Sequence, residues 1–253
     1  MKLVHPTWPG EVERIAAIST MRDGGSSVKP FAAADGSGGL NLALHVGDEA
    51  QTVERNRAAL REYLPAEPLW LNQVHGTAVV HARAGMIVDT PPTADASIAT
   101  EPGVVCATLT ADCLPVLLCD PTGRAVGAAH AGWRGLAGGV LQQTVTAMRA
   151  AGADNIMAWM GPAIGPTAFE VGAEVRTIFC EQNHVAEKAF VEIADRPGKY
   201  LADLYALARL ALVQVGVTDV SGGEQCTLRQ PHNYFSFRRD QRCGRMASLI
   251  WIS

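Results

Sequence analysis

Apolar and polar residues fall in blocks along this chain, and the blocks define its elements. Two apolar runs, Val104–Leu109 and Leu114–Cys119, flank a short polar break, Thr110-Ala111-Asp112, with Cys113 at its edge. A third run, Ala125–Ala129, leads into His130 and the glycine-broken segment AGWRG. Apolar runs of this length bounded by Asp, Pro and Gly predict buried strands rather than helices. Helical periodicity takes over in Gln51–Leu64, where Val53, Leu60 and Leu64 recur among charges and Pro65 and Pro68 stop the segment. It returns in Leu136–Ala150, with Leu136, Val140, Leu141, Val145 and Met148 in phase before Gly152, and in Tyr200–Val215, closed by Gly216.

Glu13–Thr20, Thr77–His81, Asn155–Met160 and Met246–Ile252 read as further strands, and Glu174–Cys180 as a short helix. The glycines of MRDGGSS break the first strand. Phe31–Gly39 is small, poorly patterned and expected to be a mobile loop, and Asn41–Asp48 ends on a Gly-Asp turn. Leu69–Val74 carries Asn72 and Gln73 and runs directly into His75-Gly76. Asp89–Thr93 is a proline turn, Gly161–Gly172 a Gly/Pro-rich loop, and residues 181–199 show no readable pattern. Residues 124–160 form a strand–helix–strand unit. No repeat or linker divides the chain, so one α/β domain of mixed helices and strands is expected over residues 1–253.

Composition narrows the partners. A net charge of −4 gives no basic footprint for nucleic acid, and the largest basic cluster, Arg238-Arg239 with Arg242 and Arg245, contains Asp240. No run approaches the roughly 18 apolar residues of a membrane span. His5, Pro6 and Pro9 stand where a signal peptide needs its apolar core, so a cytoplasmic protein is expected. Six cysteines are too sparse for a disulfide framework. Cys106 and Cys119, inside apolar runs, read as small core residues. Nothing separates a monomer from a dimer.

The candidate chemistry lies at the breaks. His75, Cys113 and His130 each follow or end an apolar run, 38 and 17 residues apart. That spacing matches no zinc finger, but it suits a catalytic site whose three ligands come from separate elements and leave a fourth position open. Cys/His/His is a reasonable zinc shell. A metal-free Cys113–His130 nucleophile and base pair is the alternative, and a purely structural Cys and His the blander one. His45, ending an apolar segment in LHVGD, is intermediate; His5, His81, His184 and His232 lack patterned context. Gly132 and Gly135 bracket Trp133-Arg134 ahead of a helix expected at about Leu136, a ready anion site for phosphate. The GxxxxGK[ST], GxGxxG and HxE…PCxxC signatures are absent.

Several blocks then become recognisable: QVHG (73–76), ADCLPVLLCD (111–120), HAGWRG (130–135), GPAIGP with FEVG (161–172), YLADLYALA (200–208) and FSFRRD with GRMAS (235–248). Together they resemble the bacterial YfiH/YlmD family, also called the laccase-domain or polyphenol-oxidoreductase family, from about Ser19 to the C-terminus. The resemblance implies a single domain of four layers, α/β/β/α, with mixed sheets, and zinc held by His75, Cys113 and His130. It implies a purine nucleoside phosphorylase taking adenosine, inosine, guanosine and methylthioadenosine with phosphate, and deaminating adenosine. Gln73, Arg22, His45, Arg134 and Arg238 are the candidate substrate or phosphate residues. The family's S-T-R-x-G-G pattern appears here as TMRDGG, with Met21 before Arg22. A second activity attributed to the family is cytosolic amide cleavage in peptidoglycan precursors, which would use Cys113 as nucleophile. The copper-dependent polyphenol oxidase label fits least. Multicopper sites rely on His-x-His pairs, and this chain has seven histidines and no such pair. Adventitious copper in a Cys/His/His pocket stays chemically reasonable.

Overall fold

The computed structural model describes residues 1–86 and 90–253; of the expected turn at Asp89–Thr93, Asp89 lies outside the described residues. In chain order the strands are β1 (Leu3–Val4), β2 (Ile15–Thr20), β3 (Asp23–Ser27), β4 (Val79–Ala82), β5 (Ala96–Ala99), β6 (Cys106–Thr110) and β7 (Leu114–Cys119). They continue as β8 (Val126–Ala131), β9 (Met157–Met160), β10 (Glu170–Gly172), β11 (Phe190–Glu192), β12 (Lys199–Ala202), β13 (Val220–Gly222) and β14 (Met246–Ile252). The helices are α1 (Ala50–Arg61), α2 (Trp133–Gly138), α3 (Val140–Ala150), α4 (Ala173–Gln182), α5 (Leu204–Gln214) and the short α6 (Phe237–Asp240).

A six-stranded mixed sheet, β13-β9-β7-β8-β5-β4, faces a four-stranded antiparallel sheet, β1-β2-β14-β6. The period of two along each strand sorts the side chains into layers. On β14, Ala247, Leu249 and Trp251 join Val105, Ala107 and Leu60 in the outer core. Ile250 and Ile252 point the other way, onto Leu117, Cys119, Val126 and Ala128 of the six-stranded sheet. The opposite faces of β7 and β8, with Leu114, Val116, Leu118 and Ala129, carry α3 and α5 through Leu141, Val145, Met148 and Leu212. The order is therefore helix, sheet, sheet, helix, as the resemblance implied. A small antiparallel sheet, β10-β12-β11, flanks the helical side. No helix among the described residues is long and apolar enough to cross a membrane.

Several expected elements shift for identifiable reasons. The helix expected from Leu136 begins at Trp133 and divides at Gly139, whose φ of +98° caps α2 and starts α3. Tyr200–Ala202, expected as helix, pairs instead with β10 and β11, and α5 starts only after Asp203 accepts the Ala206 N–H at 3.0 Å. MRDGGSS does not simply break β2. Its Asp23–Ser27 runs against Gly39, and a Cβ on Gly25 would stand 2.4 Å from the Gly39 carbonyl, so two backbones meet where only glycine fits. Phe31, Ala32 and Ala33 are buried, so the start of the loop expected to be mobile is packed, while Ala34–Ser37 are exposed. Cys106 and Cys119 are fully buried core residues, and burial pushes each thiol up to about 12.

Strands β6 and β7, consecutive in sequence, lie in different sheets. The chain crosses from one to the other through Ala111-Asp112-Cys113, with Asp112 at φ 89°. That corner is where the candidate site forms.

Candidate metal centre

Cys113 immediately precedes β7, and His130 is the penultimate residue of β8. Because β7 and β8 are antiparallel, with Leu114 opposite Ala131 and Pro115 opposite His130, the start of one and the end of the other share an edge. His75 reaches the same edge from a tight turn in which its own φ is 60°. The three donor atoms lie within 4.8 Å of one another, and theirs is the one such group of three His, Cys, Asp or Glu residues among the described residues. Cys113 Sγ and His75 Nε2 are 3.7 Å apart. Around a tetrahedral zinc, with bonds of about 2.3 Å to sulfur and 2.0–2.1 Å to nitrogen, that separation is about 3.6 Å. The donor set and its spacing fit a divalent metal of the zinc type.

Asp95, absent from the sequence-level candidates, organises the centre. It is fully buried at the start of β5. Its Oδ1 accepts from His130 Nδ1 at 2.8 Å and from the His75 N–H at 2.9 Å; its Oδ2 accepts the N–H groups of Val74 and Gly76 at 3.1 and 2.7 Å. One carboxylate thus shapes the His75 turn and fixes the His130 ring with Nε2 toward the other donors, the carboxylate–histidine–metal pattern. Burial alone would push the Asp95 carboxyl up. The His130 bond, then the Gly76 and Val74 N–H groups, outweigh it and hold the carboxyl below its ordinary range.

Burial also opposes ionisation of Cys113 and His130, yet each charge more than offsets it for the other. Cys113 falls to about 6, chiefly through His130, and His130 rises to about 9 through Cys113 and Asp95. Without metal the pair is thiolate and imidazolium between those values. The attraction between the two stabilises the fold only while both are charged, so it is lost as pH rises through about 9, where His130 deprotonates, and as pH falls through about 6, where Cys113 is protonated.

Gly132 sits against the donors. A Cβ there would lie 2.8 Å from His75 Cδ2 and 3.0 Å from Cys113 Sγ. Its φ of −59° suits any residue, so Gly132→Ala acts by crowding alone. We expect it to lower metal content well below wild type while thermal unfolding of the metal-free protein stays within about 3 °C, roughly a 1 kcal/mol change for a chain of this length. Elemental analysis alongside calorimetry checks this.

The centre opens into a pocket of about 450 Å³ whose lining includes His45, Gln73, Trp133, Arg134, Phe169, Phe237, Arg238 and Arg245. Gln73 spends both ends of its amide on Leu109, donating to the carbonyl at 2.9 Å and accepting the N–H at 2.8 Å, and so ties the His75 segment to β6. His45 lies at the rim, where partial desolvation of its ring, then the charges of Arg245 and Arg57, hold it below the ordinary histidine value. Arg134 is exposed and stacks 4.3 Å over Trp133. Arg22 does not reach the pocket. Its guanidinium is buried over Phe235 and donates to the carbonyls of Pro231 and Ala32 at 2.8 and 2.7 Å. The basic cluster of the sequence likewise disperses: Arg239 pairs with Asp240, Arg242 donates to the Gly47 carbonyl, and Arg238 and Arg245 line the pocket.

A model of the family described as multi-copper polyphenol oxidoreductase laccase matches residues 16–253. The chain belongs to this family. The Escherichia coli purine nucleoside phosphorylase YfiH is 48% identical over 99% of both chains. The crystal structure of a Neisseria meningitidis protein, NMB0706, superposes with a TM-score of 0.90 at 46% identity over the full length of both. That of YlmD from Geobacillus stearothermophilus gives 0.83 at 32%, covering 94% of this chain and 92% of its own. The YfiH/YlmD family is thus the one the sequence blocks resembled.

Proposed function

We propose that this YfiH/YlmD family member is a zinc-dependent purine nucleoside phosphorylase. The observation that carries the reading is one pocket in which three metal donors, aromatic walls and arginines without carboxylate partners adjoin. Arg134, Arg238 and Arg245 form no ion pair among the described residues. The naming of the Escherichia coli relative supports the same substrate class.

His75, Cys113 and His130 would hold the metal, which would supply a Lewis acid. Trp133, Phe169, Phe237 and Ile164 offer apolar surface to a purine and keep water from its faces. The pocket arginines hold phosphate against the anomeric carbon. A phosphate oxygen forms the new bond to that carbon as the glycosidic bond breaks. Its electron pair leaves on the purine, where positive charge nearby stabilises it. Adenosine, inosine, guanosine and methylthioadenosine share this reacting centre, and deamination of adenosine belongs to the same proposal.

One observation favours a second reading, attack of the Cys113 thiolate on an amide carbonyl: His130 holds that thiol near 6. It requires a thiolate not engaged by metal. Stripping the metal and reloading zinc or copper(II) separates the readings. The proposal expects phosphate-dependent cleavage of inosine to vanish on stripping and return with zinc, with no phenol oxidation in the zinc form. Undiminished cleavage by the stripped protein would overturn it.

A further inference from the structure

We infer that Arg238 is the residue that binds the phosphate dianion and that Asp112 is the positioning residue that presents it; the inference rests on the phosphorylase reading. Asp112 is buried and adopts φ 89°, a backbone region that L-residues occupy only when their surroundings hold them there. Three bonds do so. Oδ1 accepts the Thr227 hydroxyl at 2.6 Å, Oδ2 accepts the backbone N–H of Arg238 at 2.6 Å, and the Asp112 carbonyl accepts the Ile164 N–H at 2.9 Å. One residue, next to the donor Cys113, therefore anchors segments 115 and 126 residues distant that supply Phe237 and Arg238 to the pocket wall.

Arg238 is fixed at both ends. Asp112 holds its backbone, and its Nη1 donates to the Glu170 carbonyl at 2.9 Å with the guanidinium 5.4 Å from the Phe169 ring. Nε and Nη2 make no hydrogen bond among the described residues, and no carboxylate pairs with the charge. Such a side chain loses little further freedom when an anion docks. Arg134, favoured by the sequence, is the weaker candidate: its one described partner is the Trp133 face, and it must be ordered by the ligand. Arg245 is held in a similar way, its N–H by Asn41 Oδ1 at 3.0 Å and its Nη1 by the carbonyls of Cys243 and Gly244, but it lacks the tie to Asp112 beside Cys113, and Arg245→Ala should shift phosphate KM less than Arg238→Ala.

The test compares phosphate KM at saturating inosine, with metal content measured for every protein. Arg238→Ala is expected to raise phosphate KM about tenfold or more, the loss of a charge-assisted contact, with inosine KM little changed. Arg134→Ala should shift phosphate KM less than Arg238→Ala. Asp112→Gly removes the carboxylate while keeping a residue at ease with positive φ, and Thr227→Val removes one bond to that carboxylate while leaving residue 112 unchanged. Both should raise phosphate KM with metal retained, and neither should add to the effect of Arg238→Ala in the double variant. A larger shift for Arg134→Ala, or full additivity of Asp112→Gly with Arg238→Ala, overturns the assignment. Should wild type cleave no nucleoside at any phosphate concentration, the phosphorylase reading fails separately. Calorimetric binding of inorganic phosphate then decides Arg238: weakening in Arg238→Ala supports it, and equal or absent binding in wild type and variant refutes it.

Discussion

Cys113→Ser is expected to remove most of the metal and, with it, nucleoside cleavage on the order of 10³-fold. A hydroxyl replaces the one anionic donor of the set, and a lost Lewis acid forfeits several kcal/mol of charge stabilisation. Metal analysis and turnover on the same preparation check the pairing of the two losses. The wild-type residue carries its own signature. With metal stripped, alkylation of Cys113 should rise with pH through about 6 rather than near 9, because the His130 charge overcomes the burial that opposes the thiolate. An alkylation midpoint near 9, or a Cys113→Ser protein with full metal, would remove Cys113 from the centre.

The second large effect is at Asp95. Asp95→Ala leaves three backbone N–H groups and His130 Nδ1 without their acceptor in a fully buried site. Breaking a buried, hydrogen-bonded charge costs about 3–5 kcal/mol, which for a chain of this length lowers the midpoint of thermal unfolding by roughly 10 °C. Asp95→Asn keeps the shape but turns an amide NH₂ toward N–H donors. It should fold and bind metal about 10–100-fold more weakly, the usual loss for a group that orients a ligand. Asp95→Asn with wild-type metal affinity would show that the His75 turn and His130 ring are held by packing alone.

The candidate triad is legible because its chemistry is punctuated: each of His75, Cys113 and His130 interrupts or ends an apolar run. The strands were legible for the same reason, since β7 and β8 are buried along their whole length. Uniform burial also hides what lies beyond. All seven residues of β14 are buried, so no polar face tells which side meets α1 and which the second sheet. Nothing in the short break before Cys113 says that β6 and β7 part company there. The layer order came from the family resemblance instead. Asp95 escaped notice because its partners lie 19 to 35 residues away. The available signal was a lone carboxylate inside TADASIAT, directly ahead of a fully buried strand. Asp112 read only as a polar interruption, and its positive φ is a property of the corner. Arg22 carried a family motif, yet its guanidinium is spent on the carbonyls that tie the Phe31–Ala33 loop to residues 231–235.

Whether one metal pocket directs phosphate onto a nucleoside is decided by product analysis. The zinc-loaded protein is incubated with adenosine while inorganic phosphate is titrated, and the products are separated by chromatography. Adenine and ribose 1-phosphate are expected in equal amounts, absent without phosphate and rising saturably with it, with any inosine formed independently of phosphate. Adenosine intact at every phosphate concentration, in protein carrying a full complement of zinc, would contradict it.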